Sequence, residues 1–423
     1  MIEKGDTEHD WFSRRQLAID AAFLGVATIA VQGASQLGQL LGVRVLSEHD
    51  YAAVRLTESA YAVGLLVAAL GTPTIAIRLG ALWRTGFHSE VTEKALRHAT
   101  ALSSLVVAAS ASVLVALSKS SISLWVPISY GLALMPACWT RIRLGTIQGQ
   151  GQFRAAARAT AAISIMGALL SLLGASAFGF VGWAAARVSG ELLMSWLVLR
   201  MFPMQDRLVA LSTGRPLRAA VFTGAPVAAG LAVRSAMDSF ALWLAGAWSL
   251  GAPAIAAFGL YTLAVSLGAL PAGLVGNATL PRLVARSSGR GPNVVLLTGL
   301  RLVTTVSALG ITGAVVAVGA LTSFRHLTAE GGIGLGFIAV VSLLRSYASY
   351  FGTTLLAANW QGASLVATCL AAAVGIGLAS VRPFGTSVKG AALIVVCAEA
   401  FAVVALLVAH QVRERWRRSD GAG

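Results

Sequence analysis

The chain has 423 residues, of which 57% are hydrophobic and only 12% charged, and its formal net charge is +15. A soluble globular chain is about a quarter charged, so a set of ordinary soluble domains is excluded. The apolar residues gather in runs such as VTTVSALGITGAVVAVGAL from Val303 and AALIVVCAEAFAVVALLVA from Ala391. About 20 apolar residues cross a bilayer core as a helix, so the composition predicts a polytopic, all-α membrane protein.

Twelve spans are predicted, in chain order, at roughly 17–44, 53–79, 98–118, 122–147, 156–178, 181–201, 216–248, 252–281, 296–321, 333–357, 362–381 and 388–411, with ends good to about 2–4 residues. The opening MIEKGDTEHDWFSRR has mixed charge, and the apolar run behind it is too long for the core of a signal peptide. No cleaved leader is therefore expected.

Orientation follows from Lys and Arg in the loops. One set holds Lys4, Arg14 and Arg15, then Arg78, Arg84, Lys94 and Arg97, then Arg141, Arg143, Arg154 and Arg158, then Arg200, Arg207, Arg215 and Arg218, then Arg282, Arg286, Arg290 and Arg301, and finally Arg413, Arg415, Arg417 and Arg418. The alternate set holds Arg44, Lys119, Arg325, Arg382 and Lys389. Both termini are thus expected in the cytoplasm, with the chain in the cytoplasmic membrane. The positive charge is mainly this bias, and with no soluble basic domain no nucleic-acid partner is expected.

Four arginines, Arg55, Arg187, Arg234 and Arg345, fall inside spans, together with Glu58, Glu191, Asp238 and Glu399. A charge at mid-bilayer costs about 2.5–3.5 kcal/mol on insertion scales, so each needs a partner or water. Spacings of three or four residues let Arg55 meet Glu58, Arg187 meet Glu191 and Arg234 meet Asp238 on one helix face. Arg55 is expected near the outer interface, where its head can snorkel. Arg345 has no acid at helical spacing and requires one from another helix, water or an anionic ligand. At 1.5 Å per residue, Arg234 lies about 24 Å along its span from Arg218, which places it deep. The pair Arg234 and Asp238 reads equally well as a self-neutralised packing pair or as the lining of a wet cavity.

The chain also looks duplicated. FGFVGWAAARVSGELLMSWLVLR from Phe178 aligns with FGTSVKGAALIVVCAEAFAVVALLV from Phe384, matching Phe178-Gly179 with Phe384-Gly385, Gly182 with Gly390, and Glu191 with Glu399. Two halves, 1–210 and 211–423, follow. Each has six spans, an even number, so the halves keep one orientation and enclose a cavity between them.

With this pattern in view, LGVRVLSEHDYAAV from Leu41, DSFALWLAGAWSLGAPAIAAFGLYTLA from Asp238 with its Gly259 and Tyr261, and LPRLVA from Leu280 resemble the polysaccharide-exporter branch of the multidrug/oligosaccharidyl-lipid/polysaccharide (MOP) superfamily. Ala52 stands where that branch usually has Gly. Twelve spans are similar to its O-antigen-type and teichoic-acid-type members. The resemblance implies a flippase that carries a lipid-linked oligosaccharide across the membrane, with membrane lipids around it and a glycan polymerase and glycosyltransferases as candidate partners. The rival is a cation-coupled multidrug or small-molecule exporter of the same superfamily. Either way no enzyme and no cofactor is expected, since the chain has no phosphate loop and no HExxH metal motif.

The candidate substrate-binding residues are then Arg234, Arg345, Asp238, Arg55 and Arg187. An arginine stays charged and grips phosphate oxygens in pairs. The acids Glu191, Asp238 and Glu399 are candidates for coupling transport to an ion.

Overall fold

The computed structural model describes residues 36, 38–73, 75–77, 93–117, 125–150, 152–203, 228–286, 292–322, 331–357 and 360–420. Most of the first predicted span, Arg218, and the loops around Trp83, Thr213 and Ser288 lie outside these residues.

The described chain is helical, as the apolar runs require: in hydrocarbon every backbone polar group must be bonded internally. In order the helices are α1 (Glu48–Ala69), α2 (Glu93–Leu117), α3 (Trp125–Gly149), α4 (Phe153–Met201), α5 (Phe240–Ala247), α6 (Ala252–Arg286), α7 (Pro292–Thr322), α8 (Gly331–Ala357), α9 (Gln361–Val381) and α10 (Val388–Asp420). Helical residues 38–45 precede α1, and 228–238 precede α5. Each of the twelve predicted spans has helix in it, the first among its described residues near its end. Among the described residues, seven helices are long and apolar enough to cross a membrane.

One of those seven, α4, contains two predicted spans. Phe178 and Gly179 leave the helical region, Gly179 with φ 59°, a left-handed geometry that suits a residue without Cβ. The chain folds back there. A Cβ placed on Gly174 would collide with the carbonyl oxygen of Gly182, and one on Gly182 with that of Gly174. Farther down, Gly190 faces Gly167 and Leu170. Residues eight apart cannot touch along a straight helix, which rises about 12 Å over that distance. The two limbs are therefore antiparallel, with small residues letting the backbones meet.

The aligned Phe384-Gly385 makes the corresponding turn between α9 and α10. Gly385 has φ 74°, and a Cβ on Gly390 would strike the carbonyl oxygens of Phe384 and Gly385. Thus both aligned Phe-Gly pairs fall at a chain reversal with a left-handed glycine, although the break in α4 is confined to Phe178 and Gly179 while residues 382–387 connect α9 to α10.

The helices sort into inner and outer ones. About half of α1, α6 and α8 is buried, whereas α4, α7 and α9 bury less than a quarter of their spanning segments. The outward faces carry Leu173, Leu309, Val316 and Ile376, all exposed. Such a surface has a physical rationale when lipid is the solvent. The main core joins Tyr51 and Val54 of α1, Leu242 of α5, Phe258 and Leu260 of α6, Phe337 and Ile338 of α8, and Ile394 of α10. Phe258 meets Phe337 edge to face at 5.9 Å.

Contact between the predicted halves runs through α1 and α6. Gly259 is the close point, where an added Cβ would press on the stem of Arg55. From α5, Trp243 donates its indole N–H to Ser59 of α1 at 2.8 Å.

Candidate functional site

A cavity of about 750 Å³ opens between these helices, lined from the first half by Arg55, Glu58, Arg141, Arg187 and Glu191 and from the second by Arg234, Asp238 and Arg345. All five predicted substrate-binding residues line it.

The second half contributes a closed set of four charges. Residues 228–238 and α5 belong to one predicted span, but the helix is interrupted at Ser239, between Asp238 and Phe240. Arg234 and Asp238 sit one turn apart just before this break, Arg234 Nε 3.5 Å from Asp238 Oδ1. Arg345 of α8 and Glu399 of α10 complete the set. Glu399 receives Arg234 at 3.1 Å on Oε2 and Arg345 at 2.9 Å on Oε1. Arg345 also reaches Asp238 Oδ1 at 3.2 Å and donates to the carbonyl oxygens of Met237 and Asp238 at 3.4 and 3.3 Å. Those carbonyls are available because the helix breaks there. Glu399 and Arg345 are 1% and 5% exposed, while Asp238 is 40% exposed and faces the cavity.

The acid that Arg345 requires is thus supplied by two other helices. The one-turn pair Arg234–Asp238 exists, but as one edge of a four-membered network with no net charge.

The first half is built differently. Glu58 lies beside Arg187 at 3.4 Å and accepts from the Tyr130 hydroxyl at 3.2 Å and the Trp183 indole at 3.0 Å. Arg187 pairs with Glu191 at 2.9 Å, and its guanidinium lies over the Tyr61 ring at 5.6 Å. Gly167 on the other limb of α4 leaves the guanidinium room.

Two expectations about Arg55 are corrected. Its guanidinium bonds Gln39 and Thr262, while Glu58 is taken by Arg187. Nor does Arg55 snorkel outward: it is 7% exposed, because its stem packs on Gly259 and its head turns toward the other half.

Arg143 and Arg141, expected among the loop charges, lie within α3. Arg143 is buried and bonds Glu93 at 3.0 Å, the Phe202 carbonyl at 2.8 Å and the Pro203 carbonyl. It ties the end of α4 to α2. Arg141 turns the other way, into the cavity. Residues two apart on a helix differ by about 200°, a periodicity that already separates these two arginines in the sequence. Trp183, Tyr130, Ser59 and Trp243 carried no such signal, since their partners lie far away in the chain.

The three cysteines are free, and the apolar runs that hold them bury them unequally. Cys138 is buried, Cys397 intermediate and Cys369 exposed on α9.

No family model matches the chain, and no curated protein matches it. Solved structures do. An inward-facing multidrug resistance MATE family transporter of the MOP superfamily superposes with TM-score 0.69 at 16% identity, covering 95% of this chain and 99% of that one. An outward-facing MATE transporter gives 0.66 at 16% identity, with 94% and 96% covered. A MOP superfamily transporter from Pyrococcus furiosus, described as having a binding pocket of reverse polarity that suggests a different function, gives 0.65 at 16% identity, with 94% and 96% covered. All three neighbours are described as MOP superfamily transporters, the superfamily expected from the sequence, and the first two are MATE transporters rather than polysaccharide exporters. The chain has the fold of the MATE transporters of the MOP superfamily.

Proposed function

We propose that the protein is a membrane transporter of the MOP superfamily that exports small organic anions by alternating access. The cavity between halves 1–210 and 211–423 is its substrate passage. The observation that carries this reading is the lining of the cavity: five arginines (Arg55, Arg141, Arg187, Arg234 and Arg345) against three carboxylates (Glu58, Glu191 and Asp238). Arginines exposed to an enclosed cavity bind carboxylate, sulfonate or phosphate oxygens strongly and with fixed geometry. The neighbours described as multidrug resistance transporters support small-molecule export ahead of the lipid-linked oligosaccharide flippase. Fold alone does not set substrate, and the Pyrococcus neighbour's description ties pocket polarity to function within this fold.

In this reading Arg234, Arg345 and Arg187 contact the substrate, and Arg55 joins the halves. Asp238 is the best placed of the coupling candidates, because it faces the cavity while Glu399 is enclosed between two arginines and Glu191 is held by Arg187.

The flippase is the second reading, favoured by the same cationic lining, since a lipid-linked pyrophosphate is also anionic. Purified protein in lipid vesicles tests both. Flux of fluorescent organic anions exceeding that of matched cations is expected. Faster cation flux overturns the anion assignment, and translocation of a short-chain polyprenyl-pyrophosphate oligosaccharide with no soluble-anion flux establishes the flippase instead.

A further inference from the structure

Arg141 differs from every other arginine of the cavity. Arg55, Arg187, Arg234 and Arg345 each have an acid or a hydrogen-bond acceptor among the described residues. Arg141 has neither an ion pair nor a hydrogen bond there, and it is exposed to the cavity. Its neighbour two residues on, Arg143, is saturated by Glu93, Phe202 and Pro203. The same helix thus places one arginine in a clamp and leaves the other open.

Thr140, Thr160 and Ser164 line the same cavity, Thr140 and Thr160 donating to the carbonyl oxygens of Pro136 and Ala156. The hydroxyls of Tyr61 and Ser171, both buried and both lining the cavity, have no hydrogen-bond partner among the described residues. Tyr61 on α1 and Arg141 on α3 line the cavity from helices that pack together. Buried polar groups are normally bonded. An arginine with no partner among the described residues, in one cavity with the unpartnered Tyr61 hydroxyl and in a span where charge is costly, is a donor set that an oxyanion would complete.

We infer that Arg141, with the Tyr61 hydroxyl, forms an anion-binding subsite of its own, separate from the four-charge network at Arg234 and Arg345. It takes a carboxylate, sulfonate or phosphate group of the substrate. The two sites differ in kind. At Arg345 an arriving anion must compete with Asp238 and Glu399, whereas at Arg141 no carboxylate among the described residues competes with it. Arg141 is therefore the first anchor, and the network engages afterwards. The inference rests on the cavity being the substrate passage.

The test measures binding and transport separately. Fluorescence anisotropy follows a carboxylated dye, a matched cationic dye and a short-chain polyprenyl phosphate on the detergent-solubilised full chain. Arg141→Gln is expected to weaken the anionic dye at least tenfold and Arg141→Lys only a few-fold, with the cationic dye unchanged or tighter. Loss of the dye alone points to soluble anions, and loss of the polyprenyl phosphate alone to a lipid head group. Either supports the subsite.

If Arg141→Gln binds both anions as the unaltered protein does, or if the unaltered protein binds neither, the subsite is wrong. If binding falls as expected yet no protein moves any probe across vesicles, the subsite stands and the transporter reading falls. A measurement on the unaltered chain covers misfolding of the variants. Phenylglyoxal should modify Arg141 and spare the buried Arg143, as mapped by mass spectrometry, and either anion should slow it. Modification of Arg141 at the same rate with and without anion overturns the proposal.

Discussion

Glu399 holds two arginines at once, Arg345 at 2.9 Å and Arg234 at 3.1 Å, and is itself almost inaccessible. Removing it would leave two cations facing only Asp238. Breaking a buried pair by deleting one partner costs about 3–5 kcal/mol. Glu399→Ala should therefore lower the unfolding temperature sharply, and Glu399→Gln less so. Asp238→Asn, at the exposed corner of the network, should change it little. Thermal unfolding of purified variants checks the order, and equal melting for Glu399→Ala and Asp238→Asn would contradict it.

The network predicts different fates for its two arginines. Arg234 lies partly open to the cavity, while Arg345 is enclosed and bonds two carbonyls besides its carboxylates. Arg234→Lys and Arg234→Gln should both yield membrane-inserted protein yet slow transport of anionic probes, Gln more severely. Arg345→Gln should reduce the yield of folded protein as well. If Arg234→Gln transports at the unaltered rate, Arg234 is only a packing residue.

The hairpin in α4 makes a packing prediction. Gly182→Leu drives a side chain into the Gly174 carbonyl, where overpacking costs about 1–3 kcal/mol. The fully open Gly313, on the lipid side of α7, meets nothing within 4 Å. Gly313→Ala should be neutral or stabilising by about 0.5–1 kcal/mol, through helix propensity alone. Melting temperatures compare the two, and a tolerated Gly182→Leu would show that the limbs can separate.

Topology supplies a further check. With Cys138, Cys369 and Cys397 replaced, a cysteine at Thr386, in the turn between α9 and α10, should react with impermeant reagent from outside the cell. One appended after Gly423 should react only after the membrane is opened. The reverse pattern would invert the orientation read from the arginines.

The elements were legible because a bilayer makes apolar run length a direct measure of helix. The Phe-Gly pairs at Phe178 and Phe384, aligned as a duplication, both fall at chain reversals. Within one helix the pairing of Arg234 with Asp238 and of Arg187 with Glu191 followed from spacing. Across helices the rules stop. Glu58 is closer in sequence to Arg55, yet Arg187, 129 positions on, takes it. Nothing local told that Gly259 would press on Arg55 and aim it inward. The break at Ser239 was equally hidden, since SAMDSFALW contains neither Pro nor Gly. Arg141 and Arg143 were counted together as loop charge, when helical phase sends them to opposite faces.

The closed network of Arg234, Arg345, Asp238 and Glu399 has an electrical consequence. Its charges sum to zero and are clipped together, so a rearrangement that carries them as a unit moves no net charge through the membrane field. The voltage then acts on the cargo and on charges outside the network, Arg141 among them. For a substrate bearing one negative charge, an interior at −100 mV pushes outward with about 2.3 kcal/mol, roughly a fifty-fold accumulation outside. An anion exporter built this way is driven by the resting potential, and its flux should follow an imposed voltage even when no ion gradient is present.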